Sequence, residues 1–260
     1  MTIARRGPSS RAHPRPSMPT PPDTPTFPVR IWRGGADGAF RRYDVPRRAS
    51  QTVLDVVTHV QRHVDPSLAY RYACRVGMCG SCAMTVNGRA RWTCRTHVDA
   101  VAGNGGLEIA PLSHLPIVRD LVVDMEPFFD KWASAKGQFV PTATRYDDFA
   151  RVEPGSAARR AIDATIECIG CAVCYASCDV VGWKEDYLGP AALNRAFTLV
   201  NDVRDGAGIA RVRAIAKDGG CESCHTHQSC TQRCPKHLSP TASIAALKRV
   251  VARAAVKGEL

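Results

Sequence analysis

The sequence predicts an α+β protein whose strands lie in the first half of the chain and whose helices dominate the second. Alternating apolar positions around Val29–Ile31 and Tyr43–Val45, with glycines between them, indicate two strands joined by a turn. Residues 83–86 and 90–93 flank Asn87-Gly88, a strong short-range hairpin signal. In the second half, strand patterns fade and helical periodicity takes over.

One helix is predicted between these strand signals. Thr52 begins it, because Asp55 three residues later completes a capping-box pattern. Five valines then recur at helical spacing: Val53, Val56, Val57, Val60 and Val64. Residues 107–110 add one further strand. Later in the chain, helices are predicted over residues 157–167, 190–202 and 241–256.

The composition divides the chain into three parts. Residues 1–28 are rich in Pro, Ser, Thr and Arg and lack an apolar period, so a disordered basic arm is predicted there. Residues 29–135 form the predicted strand-rich domain and residues 136–260 the helical domain. Residues 126–146, rich in aromatic and acidic side chains, are predicted to connect the two.

Charge and hydropathy narrow the class of function. The net charge is +11, but ten arginines and three aspartates lie in residues 1–48, so the excess belongs mainly to the arm and its border. This distribution argues against a nucleic-acid partner. A membrane-spanning helix needs about 20 consecutive apolar residues, and none is predicted. Twelve cysteines in tight groups, without a secretory signal, favour metal binding over disulfides.

The first cysteine group has the plant-type ferredoxin spacing. Cys74-x4-Cys79-x2-Cys82 is followed by Cys94, and four thiolates in this pattern hold a 2Fe-2S cluster. A tetrahedral zinc site also uses four thiolates. Zinc ligands usually come as two short pairs, whereas three of these cysteines share one loop. The spacing therefore favours iron–sulfur over zinc.

The second and third groups have interlocked bacterial ferredoxin spacings. The second is Cys168-x2-Cys171-x2-Cys174-x3-Cys178, and the third is Cys224-x2-His227-x2-Cys230-x3-Cys234-Pro235. In this arrangement the fourth cysteine of each run ligates the other cluster. Cys168, Cys171, Cys174 and Cys234 then suit a 4Fe-4S cluster. Cys178, Cys224 and Cys230 supply three thiolates, which predicts a 3Fe-4S cluster.

Two residues leave alternatives open at the third cluster. Cys221 precedes Cys224 by three residues and could be a fourth ligand that makes the cluster 4Fe-4S, or a free thiol, which we favour. His227 occupies the position of the missing cysteine. It could bind iron, although a hydrogen-bond donor or a solvent-facing side chain is the interpretation we favour.

Taken together, the motifs resemble the iron–sulfur subunit of succinate dehydrogenase and fumarate reductase. The resemblance covers residues 29–248. It rests on the Cys-Arg-x-Gly-x-Cys-Gly-Ser run from Cys74 to Ser81, the run from Leu115 to Asp124, Gly189-Pro-Ala-Ala, and Cys234-Pro-Lys. It implies a β-grasp plant-type ferredoxin domain followed by an all-α bacterial-type ferredoxin domain.

The resemblance also implies a role and partners. Such a subunit relays electrons between the FAD of a partner flavoprotein, which holds the dicarboxylate active site, and a quinone beside one or more membrane-anchor subunits. It would lie peripherally on the cytoplasmic face of the bacterial inner membrane. Alternatives are a subunit of another flavoprotein complex, in some cases acting on thiols rather than quinones, and a zinc-stabilised interaction module.

The family's quinone-site residues match at two positions. Trp183 stands five residues after Cys178, and His225 directly follows Cys224. The family's proline after the fourth cysteine of the second group is replaced by Asp179, which alters the expected pocket.

Overall fold

The computed structural model describes residues 24–103 and 105–260. Its first half contains a five-stranded sheet in the order β2-β1-β5-β3-β4. The strands are β1 (Thr26–Arg33), β2 (Ala39–Pro46), β3 (Ala83–Val86), β4 (Arg89–Trp92) and β5 (Leu107–Ala110). β1 and β5 are parallel, and the other neighbouring pairs are antiparallel. The predicted strands are thereby confirmed. A second, two-stranded sheet pairs β6 (Ile117–Arg119) with β7 (Val122–Val123).

The predicted capping box begins helix α1 (Val53–His59). The Asp55 N–H donates to the Thr52 hydroxyl oxygen at 3.2 Å, and the Thr52 N–H donates to the Asp55 carboxylate at 3.0 Å. Four of the five predicted valines are fully buried: Val53, Val56, Val57 and Val60. Val64, the fifth valine of the pattern, is 51% exposed. It lies in a π-helical turn, Val60–Val64, which changes the angular position of the side chains.

The strand β1 begins at Thr26 and therefore includes residues 26–28 of the predicted arm. Within it, Val29 and Ile31 are fully buried and Arg30 between them is exposed, as a half-buried strand requires. The greater part of the predicted arm, residues 1–23, lies outside the described residues.

From residue 157 onward the regular elements are helices. They are α4 (Ala157–Ile162), α5 (Val173–Ala176), α6 (Asp179–Trp183), α7 (Gly189–Val200), α8 (Gly208–Ile215), α9 (Ser229–Arg233) and α10 (Pro240–Val256), joined in places by 3-10 turns. The predicted helices over 190–202 and 241–256 are confirmed as α7 and α10, while the one over 157–167 breaks into α4 and a 3-10 turn. None of the helices in the described ranges meets the length and hydropathy needed to span a bilayer.

The predicted connector contains a helix, α3 (Glu126–Ser134), in addition to the short α2 (Val98–Val101) earlier in the chain. Phe128 of α3 is 2% exposed, and its ring lies 5.5 Å from that of Tyr175. α3 therefore packs into the helical part, because its apolar face completes that part's core. The domain division near residue 135 stays a prediction.

Two main hydrophobic clusters form the core. One is enclosed by the large sheet and α1. The other joins the helical part to Leu112, Leu115 and Val123 from the preceding segment. The sheet and the helices thus share buried contacts, and the cysteine loops lie along this junction.

Candidate iron–sulfur centres

The first cysteine loop surrounds the Cys74 sulfur with backbone donors. The N–H groups of Val76, Met78 and Cys79 point at Cys74 Sγ over 3.5, 3.3 and 3.3 Å. These bonds, Met78 first, lower the pKa of the Cys74 thiol to about 6. A loop that stabilises a thiolate in this way suits a metal ligand, since the thiolate is the form that binds iron.

The hairpin brings Cys94 beside Cys82. Cys82 ends the loop before β3, and Cys94 lies in the 3-10 turn after β4. Thr93 fixes the pair: its N–H and its hydroxyl both donate to the Cys82 carbonyl, at 3.2 and 2.8 Å. Burial, together with the neighbouring Cys82, raises the pKa of the Cys94 thiol to about 11. The first group thus combines the buried thiols of Cys82 and Cys94 with the half-exposed thiols of Cys74 and Cys79. Three of the four come from one loop, and Cys94 comes from the end of the hairpin.

Four thiols of the second and third groups line one cavity. They are Cys168, Cys171, Cys174 and Cys234, and Pro235 lines the same space. Burial first, and then the nearby Cys168 and Cys234, raise the pKa of Cys171 to about 12. Buried thiols that crowd each other ionise only when positive charge is supplied, and metal ions in a cluster supply it. The donor set fits a four-thiolate cluster.

The remaining three thiols line a neighbouring cavity. Cys178, Cys224 and Cys230 face it, together with residues of the third loop. Burial raises the pKa of Cys178 and of Cys230. The Thr241 hydroxyl lies 3.4 Å from Cys230 Sγ. The two runs therefore exchange their fourth cysteines in space, and the donor set here fits a three-thiolate cluster.

Cys221 lies apart from this cavity lining. It is fully buried in the helical hydrophobic core. Burial, followed by the adjacent Glu222, raises the pKa of its thiol to about 11. Nearby, the Lys248 ammonium donates to the Cys224 carbonyl at 3.0 Å and fixes the start of the third loop.

Gly80 marks the contact between the first cysteine loop and the second. An added Cβ at Gly80 would lie 2.5 Å from Cys171 Cβ and 2.9 Å from Cys171 Cα. A cavity of about 450 Å³ next to this contact is lined by Cys79, Cys168 and Trp132, among others. The loops of the first and second candidate centres thus touch where the Gly80 backbone meets Cys171.

Trp183, His225 and His227 form an exposed aromatic group beside the three-thiol cavity. Trp183 is 71% exposed, and its ring lies 5.7 Å from that of His227. The rings of His227 and His225 are 6.0 Å apart, and both residues line the cavity. His227 Nδ1 lies 3.5 Å from an Asp179 carboxylate oxygen. The two predicted quinone-site residues therefore lie on one face.

Two features of the site lacked a sequence prediction: the contact that Gly80 makes with Cys171, and the position of Tyr187. Gly80 lies within the recognised loop motif, but its contact with Cys171 depends on the packing of the two halves. Tyr187 is 1% exposed and lines the three-thiol cavity. Burial is the first cause of its raised pKa, followed by Cys224 and Cys178. The sequence feature that could have indicated Tyr187 is its position two residues before the Gly189-Pro-Ala-Ala motif.

Comparisons with known proteins agree with the three centres. A family model described as "2Fe-2S iron-sulfur cluster binding domain" matches residues 28–130, and one described as "4Fe-4S dicluster domain" matches residues 167–239. A chain of the Mycobacterium smegmatis Sdh1 complex in the apo form superposes with a TM-score of 0.79 at 28% identity, covering 88% of this chain and 97% of that one.

Curated relatives carry a common name. The succinate dehydrogenase iron–sulfur subunit of Paracoccus denitrificans is 36% identical over 200 residues, 76% of each chain. A mitochondrial succinate dehydrogenase [ubiquinone] iron–sulfur subunit of Oryza sativa is 38% identical over 205 residues, 76% of this chain and 70% of the relative. With its cysteine groups placed as described, the chain belongs to the family of succinate dehydrogenase iron–sulfur subunits.

Proposed function

We propose that this chain relays single electrons between the FAD of a partner flavoprotein and a membrane quinone. It would do so as the iron–sulfur subunit of a succinate dehydrogenase/fumarate reductase complex. The 2Fe-2S, 4Fe-4S and 3Fe-4S clusters, when bound, supply one-electron redox centres in series. The family assignment supports electron transfer within such a complex.

The cluster ligands form three proposed sets. Cys74, Cys79, Cys82 and Cys94 would hold 2Fe-2S in a β-grasp plant-type ferredoxin domain. Cys168, Cys171, Cys174 and Cys234 would hold 4Fe-4S, and Cys178, Cys224 and Cys230 would hold 3Fe-4S, both in an all-α bacterial-type ferredoxin domain. The exchange of Cys178 and Cys234 between two adjacent cavities is the observation that carries this proposal.

The order of the relay follows from two contacts. Gly80 joins the first loop to Cys171 of the second centre. Helix α5, which carries Cys174 of the second centre, packs against α9, which carries Cys230 of the third. Electrons tunnel efficiently only over short gaps, so closely packed centres suit a linear relay. The flavoprotein would dock at the first centre and the quinone at the third.

Trp183 and His225 are the proposed quinone-binding residues. Both lie beside the three-thiol cavity, and Trp183 is exposed as a docking surface for a membrane-anchor subunit requires. The Trp183 indole N–H can donate a hydrogen bond to a quinone carbonyl. His225 can donate a hydrogen bond or a proton near neutral pH. In this proposal the subunit lies peripherally on the cytoplasmic face of a bacterial inner membrane.

A second candidate keeps the relay but changes its terminal partner. Asp179 replaces the family's proline and pairs with His227 at the edge of the proposed quinone pocket. A charged side chain there makes the pocket more polar than the family pattern. The alternative that this observation favours is an iron–sulfur subunit of another flavoprotein oxidoreductase complex, with a different electron acceptor.

The test replaces one ligand of the third centre. In the assembled complex, Cys230→Ser is expected to abolish the 3Fe-4S signal in electron paramagnetic resonance of the oxidised enzyme. Quinone turnover should be lost with it, because the electron has no route past the second centre. Succinate oxidation with an artificial acceptor on the flavoprotein side should largely survive.

Cys221→Ser is the matched control, because it makes the same change at the buried thiol outside the cavity lining. It should keep the 3Fe-4S signal and quinone turnover. If Cys221 were a fourth ligand, the unmodified complex would hold a 4Fe-4S cluster there, and a 3Fe-4S signal would appear only in Cys221→Ser. Equal loss of quinone-linked and artificial-acceptor activity in Cys230→Ser would contradict the proposed order of centres.

A further inference from the structure

A polar cleft opens where the β3–β4 hairpin meets the second and third cysteine loops. Its cavity volume is about 320 Å³. Arg89 of β4, His114 of the loop between β5 and β6, and Arg233 at the end of α9 line it. Ser113 and Ser229 add hydroxyl groups. Three segments that are distant in sequence therefore bring donors to one concave surface.

The positive charge around this cleft is not balanced by the protein. Arg91 lies two residues after Arg89 in β4, on the same face of the strand. Burial first, and then the charges of Arg89 and Arg233, lower the pKa of Arg91. Within the part of the chain that the structure describes, the side chains of these three arginines make no hydrogen bond or ion pair. The Nε atom of Arg91 is buried without a partner.

One acidic residue, Asp179, lines the described part of the cleft. Its carboxylate lies 3.5 Å from His227 Nδ1, on the side of the proposed quinone pocket. A carboxylate shared with a histidine neutralises at most a fraction of three guanidinium charges. Grouping cations without counter-charges costs free energy, and an anion that binds among them removes that cost.

We propose that this cleft binds a phosphate group. Guanidinium groups present paired N–H donors that match phosphate oxygens, and serine hydroxyls donate to the same oxygens. A phosphate group offers more acceptor oxygens than a carboxylate, which suits donors arriving from three segments. The ligand class is therefore a phosphate-bearing anion.

The position of the cleft favours the head group of an anionic phospholipid as the source of that phosphate. His114 packs against Gly182, where an added Cβ would lie 2.7 Å from the imidazole Cε1. Gly182 directly precedes Trp183 in α6. The cleft thus adjoins the face that would meet the membrane anchor, and this choice of source rests on the proposed function. A free phosphate has the same chemistry and is distinguished by the test.

The test uses the purified, assembled complex with its clusters. One arm titrates inorganic phosphate by calorimetry at constant ionic strength. The other measures phospholipid retained per complex after exchange into nanodiscs of phosphatidylglycerol or of phosphatidylcholine. Arg89→Gln and Arg233→Gln are each expected to weaken phosphate binding about tenfold, since each removes charge-assisted hydrogen bonds. Arg89→Lys, which keeps the charge, should lose less.

Arg249→Gln is the control, because Arg249 lies on the exposed side of α10 and its loss removes the same charge. It should bind as the unmodified complex does. Retention of phosphatidylglycerol but not phosphatidylcholine, reduced in Arg89→Gln, supports the head group. Phosphate binding without lipid preference supports a soluble anion and overturns the lipid source.

Absence of binding in the unmodified complex, or equal binding in all variants, overturns the phosphate site. Iron content per complex shows whether each variant is folded, and Arg89→Gln is the more informative change because Arg89 is exposed and not next to a cysteine. Phosphate binding is measured without turnover, so a negative result contradicts the phosphate site and leaves the electron relay untouched. The relay is tested separately by the spectra of Cys230→Ser.

Discussion

At the scale of single residues, Asp205 and Arg211 form an ion pair that is fully removed from solvent. Both side chains are fully buried. Arg211 Nη2 donates to the two Asp205 carboxylate oxygens at 2.7 and 2.8 Å and to the Gln138 carbonyl at 3.2 Å. The Val140 N–H donates to Asp205 at 3.0 Å. The pair therefore holds the segment after α3 against the start of α8.

Asp205→Asn is expected to destabilise the protein by about 3–5 kcal/mol, because it leaves the Arg211 charge buried without a counter-charge. Thermal unfolding of the assembled complex measures the change. Asp218→Asn makes the same substitution at an exposed ion pair with Lys184 and should leave the unfolding temperature nearly unchanged. Similar shifts for the two variants would contradict the assignment.

The same pair sets a pH dependence. Burial raises the pKa of Asp205, but hydrogen bonds from Arg211 and from the Val140 and Ala207 N–H groups outweigh it, and the net shift is downward. A depressed pKa contributes stability above the unfolded value of about 3.9, and that stability is lost as pH falls below it. The unmodified complex should lose stability in that acidic range, and Asp205→Asn should lose less over the same range.

At the scale of elements, the capping box shows how a local pattern positions a core. α1 places its valines against the large sheet, and the first cysteine loop follows it in the chain. Thr52→Ala removes the side-chain acceptor for the Asp55 N–H and should cost about 1 kcal/mol. Thr52→Ser keeps the hydroxyl and should retain most of that stability in thermal unfolding. A Thr52→Ser variant as unstable as Thr52→Ala would show that the methyl group, not the cap, matters.

The short helices behave differently from α1. α5, α6 and α9 have four or five residues each; α5 and α9 lie within cysteine runs, and α6 begins directly after Cys178. Segments of that length show no helical period and are marginal helices by themselves. They form here because the surrounding loops and core hold them, so the sequence pattern predicts α7 and α10 but not these three.

At the scale of the whole molecule, the junction of the two halves depends on the absence of a side chain at Gly80. Gly80→Ala would place a Cβ 2.5 Å from Cys171 Cβ at a backbone φ of +72°. Overpacking of this kind costs about 1–3 kcal/mol. We expect lower thermal stability and slower electron transfer from the first centre to the second, measured by freeze-quench electron paramagnetic resonance.

Gly88→Ala is the matched control for this change. Gly88 has the same φ of +72°, but an added Cβ there meets no atom within 4 Å. It carries the backbone strain without the clash, so its electron-transfer rate should equal that of the unmodified complex. Equal slowing in both variants would mean that the Gly80 contact with Cys171 does not control the transfer.

The sequence by itself determined the strand-rich first half, the helices α1, α7 and α10, and the three cysteine groups. These are local properties, because alternation, helical periodicity and ligand spacing depend only on residues that are close together in the chain. The tertiary structure decided the features that arise where segments distant in the chain come into contact. The packing of α3 into the helical core, the burial of Cys221, the Gly80 contact with Cys171 and the unbalanced arginines around the cleft arise from side chains far apart in the chain. No local pattern encodes such contacts, because they exist only after the two halves pack together.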